Sequence, residues 1–355
     1  MKILITGISG FAGSTLAREL LLHREGVEIV GIDNLSRRGS EENFEALRSE
    51  EIDVRCGDVR VSEDLRQFGA IDWLIDAAAN PSVLAGVDGK TGPAELLDHN
   101  LVGTIPMLEA CRDWSVPFTL LSTSRVYSIP ALRSLSLGTE KDAFTLDAGQ
   151  QVDGVSAGGI TEGFSTEPPV SLYGTSKRCA ELLALEYSAT FDFPVWINRC
   201  GVLAGAGQFG KADQGIFSFW IHSWLQRQPL KYLGFGGHGH QVRDCLHPRD
   251  LAPLLWKQYD AGMGGDRPKT INVSGGMTSA VSLAQLSSWC NTATSTPHAV
   301  QQDGGERAFD LPWVVLDSAL AGLTWDWQPQ ISREAILCEI LDHARSRPDW
   351  LDISR

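Results

Sequence analysis

A glycine-rich turn between a strand and a helix constrains the fold of this 355-residue chain more than any other feature. Residues 2–6 have the apolar pattern of a short buried strand, the turn after them contains Gly7, Gly10 and Gly13, and residues 14–22 have the pattern of a helix. Glycines in this context let the backbone approach a pyrophosphate, which the N-terminus of the helix attracts. The turn alone is weak evidence for a dinucleotide site, because any tight turn favours glycine.

An acidic residue at the end of the next strand supports the dinucleotide interpretation. The predicted strand 27–32 is followed by Asp33, which lies 20 residues after the last glycine of the turn. At this position an acidic group hydrogen-bonds the ribose 2′-hydroxyl and repels a 2′-phosphate, so we predict NAD rather than NADP as the cofactor. Arg37 and Arg38 can soften this preference, although they also fit a solvated loop. For Asp58, a contact with adenine and a turn at the end of a strand both stay open.

Strand-like segments alternate with helical patterns along the first 200 residues. They lie at 2–6, 27–33, 53–59, 71–79, 118–124 and 195–203. This alternation predicts an α/β fold with a doubly wound parallel Rossmann sheet, whose ligands bind at the carboxyl ends of the strands. We predict a Rossmann domain over residues 1–200 with a return segment near 237–258, and a smaller C-terminal α/β substrate domain over residues 201–355.

A long segment without clear periodicity, residues 128–172, interrupts this alternation. It is rich in Gly, Ser and Thr and comes directly after one of the strand ends at which a ligand is expected. A lid or binding loop and an ordinary surface insertion are both open as explanations of this segment.

Charge and cysteine content exclude several classes of protein. The formal net charge of −14 disfavours nucleic acid or an anionic membrane as a partner. Seven cysteines are scattered without a CxxC pair, which argues against a disulfide framework and favours a reducing cytoplasm. Because no apolar run has the length of a membrane span, we expect a soluble cytoplasmic protein. His238, His240 and His247 lack supporting cysteine or acidic ligands, and we predict no metal.

A tyrosine and a lysine at helical spacing carry the candidate chemistry. Tyr173 and Lys177 lie four residues apart at the beginning of a predicted helix, so both project from one face. A cation beside a phenol lowers the pKa of the phenol, which is normally about 10, and thereby favours proton exchange with a sugar hydroxyl. Thr123 ends the fifth predicted strand, where its hydroxyl can hydrogen-bond the reacting oxygen. The pair alone also fits a half-buried tyrosine beside a solvated lysine.

Taken together, these motifs resemble the extended short-chain dehydrogenases/reductases of the nucleotide-sugar epimerase and dehydratase group. The segments that carry the resemblance are 6–13, 33–36, 100–104, Thr123-x-x-x-Tyr127, Tyr173-x-x-x-Lys177 and Arg243-Asp244-x-x-His247. The resemblance implies a catalytic triad of Thr123, Tyr173 and Lys177, with Asn100 near the nicotinamide. We predict that the cofactor contacts Gly7, Gly10, Phe11, Ala12, Gly13, Asp33, Asn34, Asp58, Val59, Ala77, Ala78, Ala79, Asn100, Tyr173 and Lys177.

A narrower resemblance is to the CDP-paratose (CDP-tyvelose) 2-epimerases within that group. It rests on residues 33–39, on Gln208-Phe209 with Asp213-Gln214-Gly215, and on residues 239–247. We predict that the substrate contacts Asn80, Thr123, Asn198, Arg199, Gln208, Gln214, Arg243 and Arg307. The three arginines are candidates for the substrate diphosphate, although arginines of this kind also form ordinary ion pairs. The chain departs from the group at 77–82, which replaces the commoner His-x-Ala-Ala pattern.

The residues after Thr123 separate epimerases from dehydratases. Dehydratases of the group have an Asp-Glu pair there, which serves to eliminate water, whereas this chain has Ser124 and Arg125. The resemblance therefore implies an epimerase that oxidises a sugar carbon to a transient keto sugar and reduces it again, without net redox. A UDP-hexose 4-epimerase and a non-catalytic NAD-binding regulatory protein stay open as alternatives. The resemblance also implies a homodimer.

Overall fold

A computed structural model describes residues 1–211 and 214–354 of the chain. In chain order its strands are β1 (Lys2–Thr6), β2 (Glu28–Asp33), β3 (Asp53–Cys56), β4 (Trp73–Asp76), β5 (Phe118–Thr123), β6 (Leu137–Glu140), β7 (Ala143–Leu146), β8 (Val155–Ser156), β9 (Gly159–Ile160), β10 (Val195–Cys200), β11 (Val202–Leu203), β12 (Leu230–Leu233), β13 (Val242–Leu246), β14 (Thr270–Val273), β15 (Ala280–Ser282), β16 (Val300–Asp303) and β17 (Trp313–Val314).

Helices cover both faces of the main sheet and recur through the C-terminal part. They are α1 (Phe11–His23), α2 (Ser40–Ser49), α3 (Ser62–Arg66), α4 (Pro93–Leu97), α5 (Thr104–Trp114), α6 (Ile129–Arg133), α7 (Ser171–Phe191), α8 (Ile216–Leu225), α9 (Leu251–Asp260), α10 (Gly276–Ser279), α11 (Leu283–Thr294), α12 (Ala319–Trp325), α13 (Arg333–Ser346) and α14 (Trp350–Ser354). Among the helices in the described ranges, none is both long and apolar enough to cross a membrane.

The main sheet has seven parallel strands in the order β14-β10-β5-β4-β1-β2-β3. The order reverses between β1 and β4, which creates the crevice in which open α/β sheets bind ligands. Apolar residues on both faces fit this position, since Ile3, Leu4 and Ile5 of β1 are all fully buried. One face packs against α1 and α9, and the other packs against α5 and α7. The doubly wound parallel sheet predicted from the sequence is therefore confirmed.

The edge of the sheet differs from the sequence prediction. A seventh strand, β14, was not predicted; it pairs with β10, and α9 just before it packs on the same sheet. The predicted strand 195–203 is two strands, of which β11 leaves the main sheet and pairs with β13. The break falls at Gly201, where a Cβ atom would overlap the side chain of Ser274. The division into domains at residue 200 stays a prediction.

The segment 128–172 is built into the core of the C-terminal part. It forms α6 and two hairpins, β6–β7 and β8–β9, and its apolar residues pack with those of β13 and β17 in one cluster. Ile160 forms a bridge with Leu316, and its carbonyl accepts a hydrogen bond from Nδ2 of Asn272 at 2.9 Å. Because it contributes buried side chains to that cluster, the segment is neither a lid nor an ordinary surface insertion.

Candidate active site

The glycine-rich turn has the geometry that a pyrophosphate requires. Gly7 has φ +63°, and a Cβ atom there would lie 2.7 Å from Cα of Ala78. At Gly13 a Cβ atom would overlap the carbonyl of Gly7, so helix and turn pack more closely than a side chain allows. Phe11 and Ala12 begin α1, and Gly10 at its N-cap provides no side-chain hydrogen bond. The first backbone N–H groups of this 13-residue helix therefore remain available to an anion.

Asp33 fastens this turn to the end of β2. One carboxylate oxygen accepts the backbone N–H of Ser9 at 3.0 Å, and the other accepts that of Leu35 at 2.9 Å. Burial raises the pKa of Asp33, and these hydrogen bonds oppose the rise. Each carboxylate oxygen can accept a second hydrogen bond, so the residue can still receive a ribose hydroxyl. The residues of the turn and Asp33 thus fit the adenosine and pyrophosphate of NAD.

Asp58 has a structural partner at the end of β3. Its carboxylate accepts hydrogen bonds from Nε and Nη2 of Arg60 at 2.9 and 2.7 Å, and these lower the pKa of Asp58 to about 2. Asn34 adds a weaker hydrogen bond to the same carboxylate. Val59 packs against the core cluster below α5. Asp58 therefore has the role of a turn residue at a strand end, and its contact with adenine stays a prediction.

Asn100 joins two loops at the carboxyl edge of the sheet. It is buried in a π-helical turn, Asp98–Val102, between α4 and α5. Its Oδ1 accepts the backbone N–H of Asn80 at 2.8 Å, and its Nδ2 donates to the carbonyl of Asn80 at 3.0 Å and to Oγ of Ser176 at 3.3 Å. Asn100 thereby positions the loop after β4, which includes Ala77, Ala78 and Ala79, against the helix that carries Tyr173. π-Helical turns often lie at functional sites.

A buried carboxylate that the sequence analysis did not single out lies beside Lys177. Asp76 is the last residue of β4 and is buried. Its Oδ1 accepts the Thr6 hydroxyl at 2.8 Å and the Ala78 N–H at 3.0 Å, while its Oδ2 lies 4.0 Å from Nζ of Lys177. The available signal was a polar residue at the end of an otherwise apolar strand.

The structure brings Thr123 and Tyr173 together. Tyr173 is buried, and the side chain of Thr123 lies close enough to the phenol to lower its pKa. Burial raises the pKa of Tyr173, and Thr123 and the charge of Arg125 oppose the rise. The sequence predicted a pKa lowered by Lys177. In the structure burial outweighs the attraction of the cations, and Arg125 is the cation that acts on the phenol.

Arg125 belongs to a group of three arginines near Tyr173. Burial and the charges of Arg243 and Arg307 lower the pKa of Arg125 to about 9, and Asp310 opposes this. Arg243 donates to the carbonyls of Val242 and Leu311 at 2.7 and 2.8 Å, and it lies 3.7 Å from Oδ1 of Asp310. Arg243 and Arg307 are therefore close enough to interact, as a diphosphate site requires. In the sequence, Arg125 is distinguished only by standing where dehydratases of the group have an acid.

Two of the predicted substrate residues are committed to the interior. Arg199 forms a buried ion pair with Glu181, with Nη2 2.8 Å from Oε2, and Ser122 donates to the same carboxylate at 2.5 Å. Asn198 is fully buried and exchanges two hydrogen bonds with the carboxamide of Gln258, at 3.0 and 2.8 Å. Asn198 and Arg199 are consecutive residues of the buried strand β10, so their side chains lie on opposite faces of the sheet, and each has an internal partner there. Their contacts with substrate stay predictions.

Gln208 and Gln214 also have contacts away from Tyr173. Nε2 of Gln208 donates to the carbonyl of Leu203 at 2.5 Å, and Oε1 of Gln214 accepts from Nη1 of Arg37 at 2.7 Å. Since Arg37 follows β2, Gln214 links the C-terminal part to the loop beside Asp33. Their contacts with substrate stay predictions. Asp213, which belongs to the same motif, lies outside the described residues.

The fold and the site define a class of protein. A Rossmann sheet that brings a threonine and a tyrosine together at its carboxyl edge, with a lysine one helical turn further on, is the arrangement of an extended short-chain dehydrogenase/reductase. The chain belongs to the NAD dependent epimerase/dehydratase family, whose sequence model matches residues 3–274. Members of this family are enzymes, and their cofactor is NAD.

Individual relatives have different reactions. The chain is 27% identical to CDP-paratose 2-epimerase of Salmonella typhi, over 99% of both chains. It is also 27% identical to a dTDP-glucose 4,6-dehydratase of Escherichia coli, over 78% of this chain and 72% of the relative. Among solved structures, the UDP-glucuronic acid 4-epimerase of Bacillus cereus, in complex with UDP-glucuronic acid and NAD, superposes with a TM-score of 0.75 at 23% identity, over 98% of this chain and 99% of that chain.

Proposed function

We propose that the protein is a nucleotide-sugar epimerase that inverts C2 of a CDP-linked dideoxyhexose, the reaction of a CDP-paratose 2-epimerase. The observation that carries the proposal is the pair of Thr123 and the buried Tyr173, with a guanidinium and not a carboxylate in the turn that follows Thr123. The choice of CDP-paratose is supported by the relative from Salmonella typhi, because the similarity extends over the full length of both chains.

Each residue of the triad has a separate task in this reaction. Tyr173 takes the proton from the reacting sugar hydroxyl and later returns one, as a general base and acid. The hydroxyl of Thr123 positions the sugar oxygen next to the phenol of Tyr173. Lys177 binds the nicotinamide ribose. The chemistry that NAD supplies when bound is reversible hydride transfer with the sugar carbon. Because the same tyrosine serves both directions, the protein needs no second proton donor.

Elimination of water has a requirement that these residues do not meet. The leaving hydroxyl must be protonated, and the two positions after Thr123 hold a serine and an arginine. The nearest carboxylate of the arginine group, Asp310, lies 3.7 Å from Arg243 and is engaged by it. We therefore place the protein among the isomerases of the family and not among its dehydratases.

A second candidate is a UDP-linked 4-epimerase that acts on a uronic acid. Arg125 favours this candidate over a neutral UDP-hexose, because a carboxylate at C5 would give its guanidinium a partner beside the reacting C4. The structural similarity to the UDP-glucuronic acid 4-epimerase of Bacillus cereus concerns the fold alone.

The test is to incubate the purified protein with CDP-paratose, without added cofactor, and to follow the C2 proton by NMR. We expect conversion to CDP-tyvelose, because tightly held NAD is regenerated in each turnover. UDP-glucose and UDP-glucuronic acid are assayed in parallel. If either UDP-sugar is converted and CDP-paratose is not, the protein is a 4-epimerase and not a 2-epimerase. If none of the three is converted, a non-catalytic NAD-binding protein is favoured.

We also propose that the protein is a homodimer that pairs through α5 and α7. Both helices carry exposed apolar side chains, among them Ile105, Leu182 and Phe191. Sedimentation equilibrium measures the mass directly, and a mass equal to one chain of 38.6 kDa would contradict the proposal.

A further inference from the structure

The backbone of Arg125 contacts Thr123 and the residue that follows Tyr173. Its N–H donates to Oγ1 of Thr123 at 3.1 Å. Its carbonyl lies directly against Gly174, the residue after Tyr173, where a Cβ atom would overlap the carbonyl oxygen. The short turn Ser124–Val126 is therefore fixed between the end of β5 and the first turn of α7. The side chain of Arg125 begins within the active site.

The guanidinium of Arg125 has few internal partners. Its Nη1 donates to the carbonyl of Phe309 at 3.3 Å, and no carboxylate in the described ranges lies within ion-pairing distance of it. By contrast, Arg199 is fully paired with Glu181 in the same buried region. A guanidinium has five N–H donors, and a half-buried one without a carboxylate at ion-pairing distance can bind an anion.

Arg125 and Arg243 contact the same short segment. Arg125 donates to the carbonyl of Phe309, and Arg243 donates to that of Leu311 at 2.8 Å. Asp310 lies between these two residues of the segment, and its charge acts on both Arg125 and Arg243. Arg125 and Arg243 therefore belong to one group of charges beside the catalytic tyrosine, with Asp310 as a carboxylate that acts on both.

We propose that Arg125 binds an anionic group carried by the sugar carbon next to the reacting carbon. The inference rests on the proposed function of this site. In a nucleotide sugar the phosphate is attached at C1, which is the direct neighbour of C2 and lies across the ring from C4. A cation beside Tyr173 therefore meets the sugar-side phosphate when C2 reacts. When C4 reacts, the neighbouring anion is the carboxylate at C5 of a uronic acid.

Calorimetric titration of the purified protein with CDP and CMP tests the phosphate arm, because CDP contains the sugar-side phosphate and CMP lacks it. We expect Arg125→Met to weaken CDP binding about tenfold, while CMP binding stays within about twofold. Arg125→Lys, which keeps the charge, should recover part of the loss. Arg133→Met is the matched control, since Arg133 donates to the carbonyl of Asp310 at 3.0 Å from an exposed position and should change neither affinity.

Titration with UDP-glucuronic acid and UDP-glucose tests the carboxylate arm. One outcome is that Arg125→Met weakens the binding of UDP-glucuronic acid about tenfold more than the binding of UDP-glucose, while the ratio of the CDP and CMP affinities stays as in wild type. In that case the bound anion is the carboxylate. Equal affinities of wild type and Arg125→Met in both comparisons would overturn the proposal. Retained NAD and the unfolding midpoint show that each variant is folded, and Arg125→Gln replaces the methionine variant if that one is not.

These titrations do not depend on turnover. If CDP-paratose is not converted but CDP binding still depends on Arg125, the 2-epimerase fails and the anion site stands. If CDP-paratose is converted, but Arg125→Met changes neither the ratio of CDP to CMP affinity nor that of UDP-glucuronic acid to UDP-glucose affinity, the proposed anion site is wrong and the proposed epimerase activity is supported.

Discussion

Nζ of Lys177 lies 4.0 Å from Oδ2 of Asp76, and their side chains are only 3% and 2% exposed. The other carboxylate oxygen of Asp76 is occupied by Thr6 and by the N–H of Ala78. One carboxylate therefore connects the strand before the glycine-rich turn, the loop after β4 and the catalytic helix. A buried pair of opposite charges, held by further hydrogen bonds, fixes the position of both groups.

Asp76→Asn is predicted to move the pH dependence of kcat/KM toward lower pH. Asparagine keeps an acceptor for Thr6 and Ala78 but leaves the charge of Lys177 uncompensated. An uncompensated cation favours the phenolate, so the pKa of Tyr173 falls, and we expect the rise of kcat/KM with pH to occur about one unit lower. In the wild type Asp76 compensates the charge of Lys177, and the groups that act on the Tyr173 phenol are Thr123, Arg125 and Cys200. They are unchanged in the variant.

Asp72→Asn is the matched control for this profile. Asp72 lies just before β4 and accepts the backbone N–H of Lys2 at 2.7 Å in an exposed position. Its replacement should leave the profile in place. If Asp76→Asn loses activity at all pH values and kcat/KM still rises at the same pH as in wild type, Asp76 only stabilises the fold.

Tyr173→Phe is predicted to lower kcat by at least about a hundredfold and to leave retained NAD unchanged. Phenylalanine fills the same buried space but cannot exchange a proton with the sugar. Tyr187→Phe is the control on the same helix, because the hydroxyl of Tyr187 donates to Glu109 at 2.8 Å, away from the site. Turnover is measured by NMR and retained NAD by absorbance after denaturation. Turnover by Tyr173→Phe equal to that of wild type would remove Tyr173 from the mechanism.

The sequence predicted those parts of the site that depend on local pattern and on the polarity of parallel strands. The glycine-rich turn, Asp33, Thr123 and the Tyr173–Lys177 pair were located correctly in the fold because the carboxyl ends of β1, β2 and β5 meet at one edge. Each is recognisable from a few adjacent residues, or from a spacing of four on a helix.

The remaining features depend on pairings between distant residues, which periodicity does not reveal. Arg199 resembles a ligand in the sequence, and only the packing of α7 on β10 shows that Glu181 neutralises it. Strand β14 and the bridge between Ile160 and Leu316 join segments more than 70 residues apart. The role of Asp76 likewise becomes visible only when Lys177 is placed beside it.

Gly174→Ala is predicted to reduce kcat more than tenfold while NAD stays bound. The added methyl group would overlap the carbonyl of Arg125, so the turn that carries Thr123 and Arg125 must move away from α7. Because a displacement of reacting groups by about 1 Å can cost a hundredfold in rate, the effect should appear in kcat. Gly163→Ala is the control, since its nearest contact would be 3.7 Å away at Thr161. Equal kinetics of the two variants would contradict this account of the turn.

Asp244→Asn is predicted to stabilise the protein at neutral pH. Asp244 is buried and accepts hydrogen bonds from the Ser274 hydroxyl and, at 3.1 Å, from the N–H of Leu316, and burial raises its pKa to about 6. A raised pKa in the folded state means that this group favours folding below its unfolded pKa, near 4, and that this contribution is lost as the pH rises through about 6.

The Ser274 hydroxyl and the Leu316 N–H donate to the same oxygen of Asp244, so the amide oxygen of asparagine can accept both hydrogen bonds. The substitution also removes the buried charge. The free energy of unfolding from urea titrations should therefore be higher than that of wild type at pH 7.5 and nearly the same at pH 4. The contribution of Asp244 to the fall in wild-type stability between these two pH values should be absent in the variant. Asp303→Asn, in an exposed turn where the carboxylate accepts the N–H of Gly305 at 3.1 Å, is the control and should follow wild type. A variant that is destabilised equally at both pH values would show that the charge of Asp244 is needed by its neighbours.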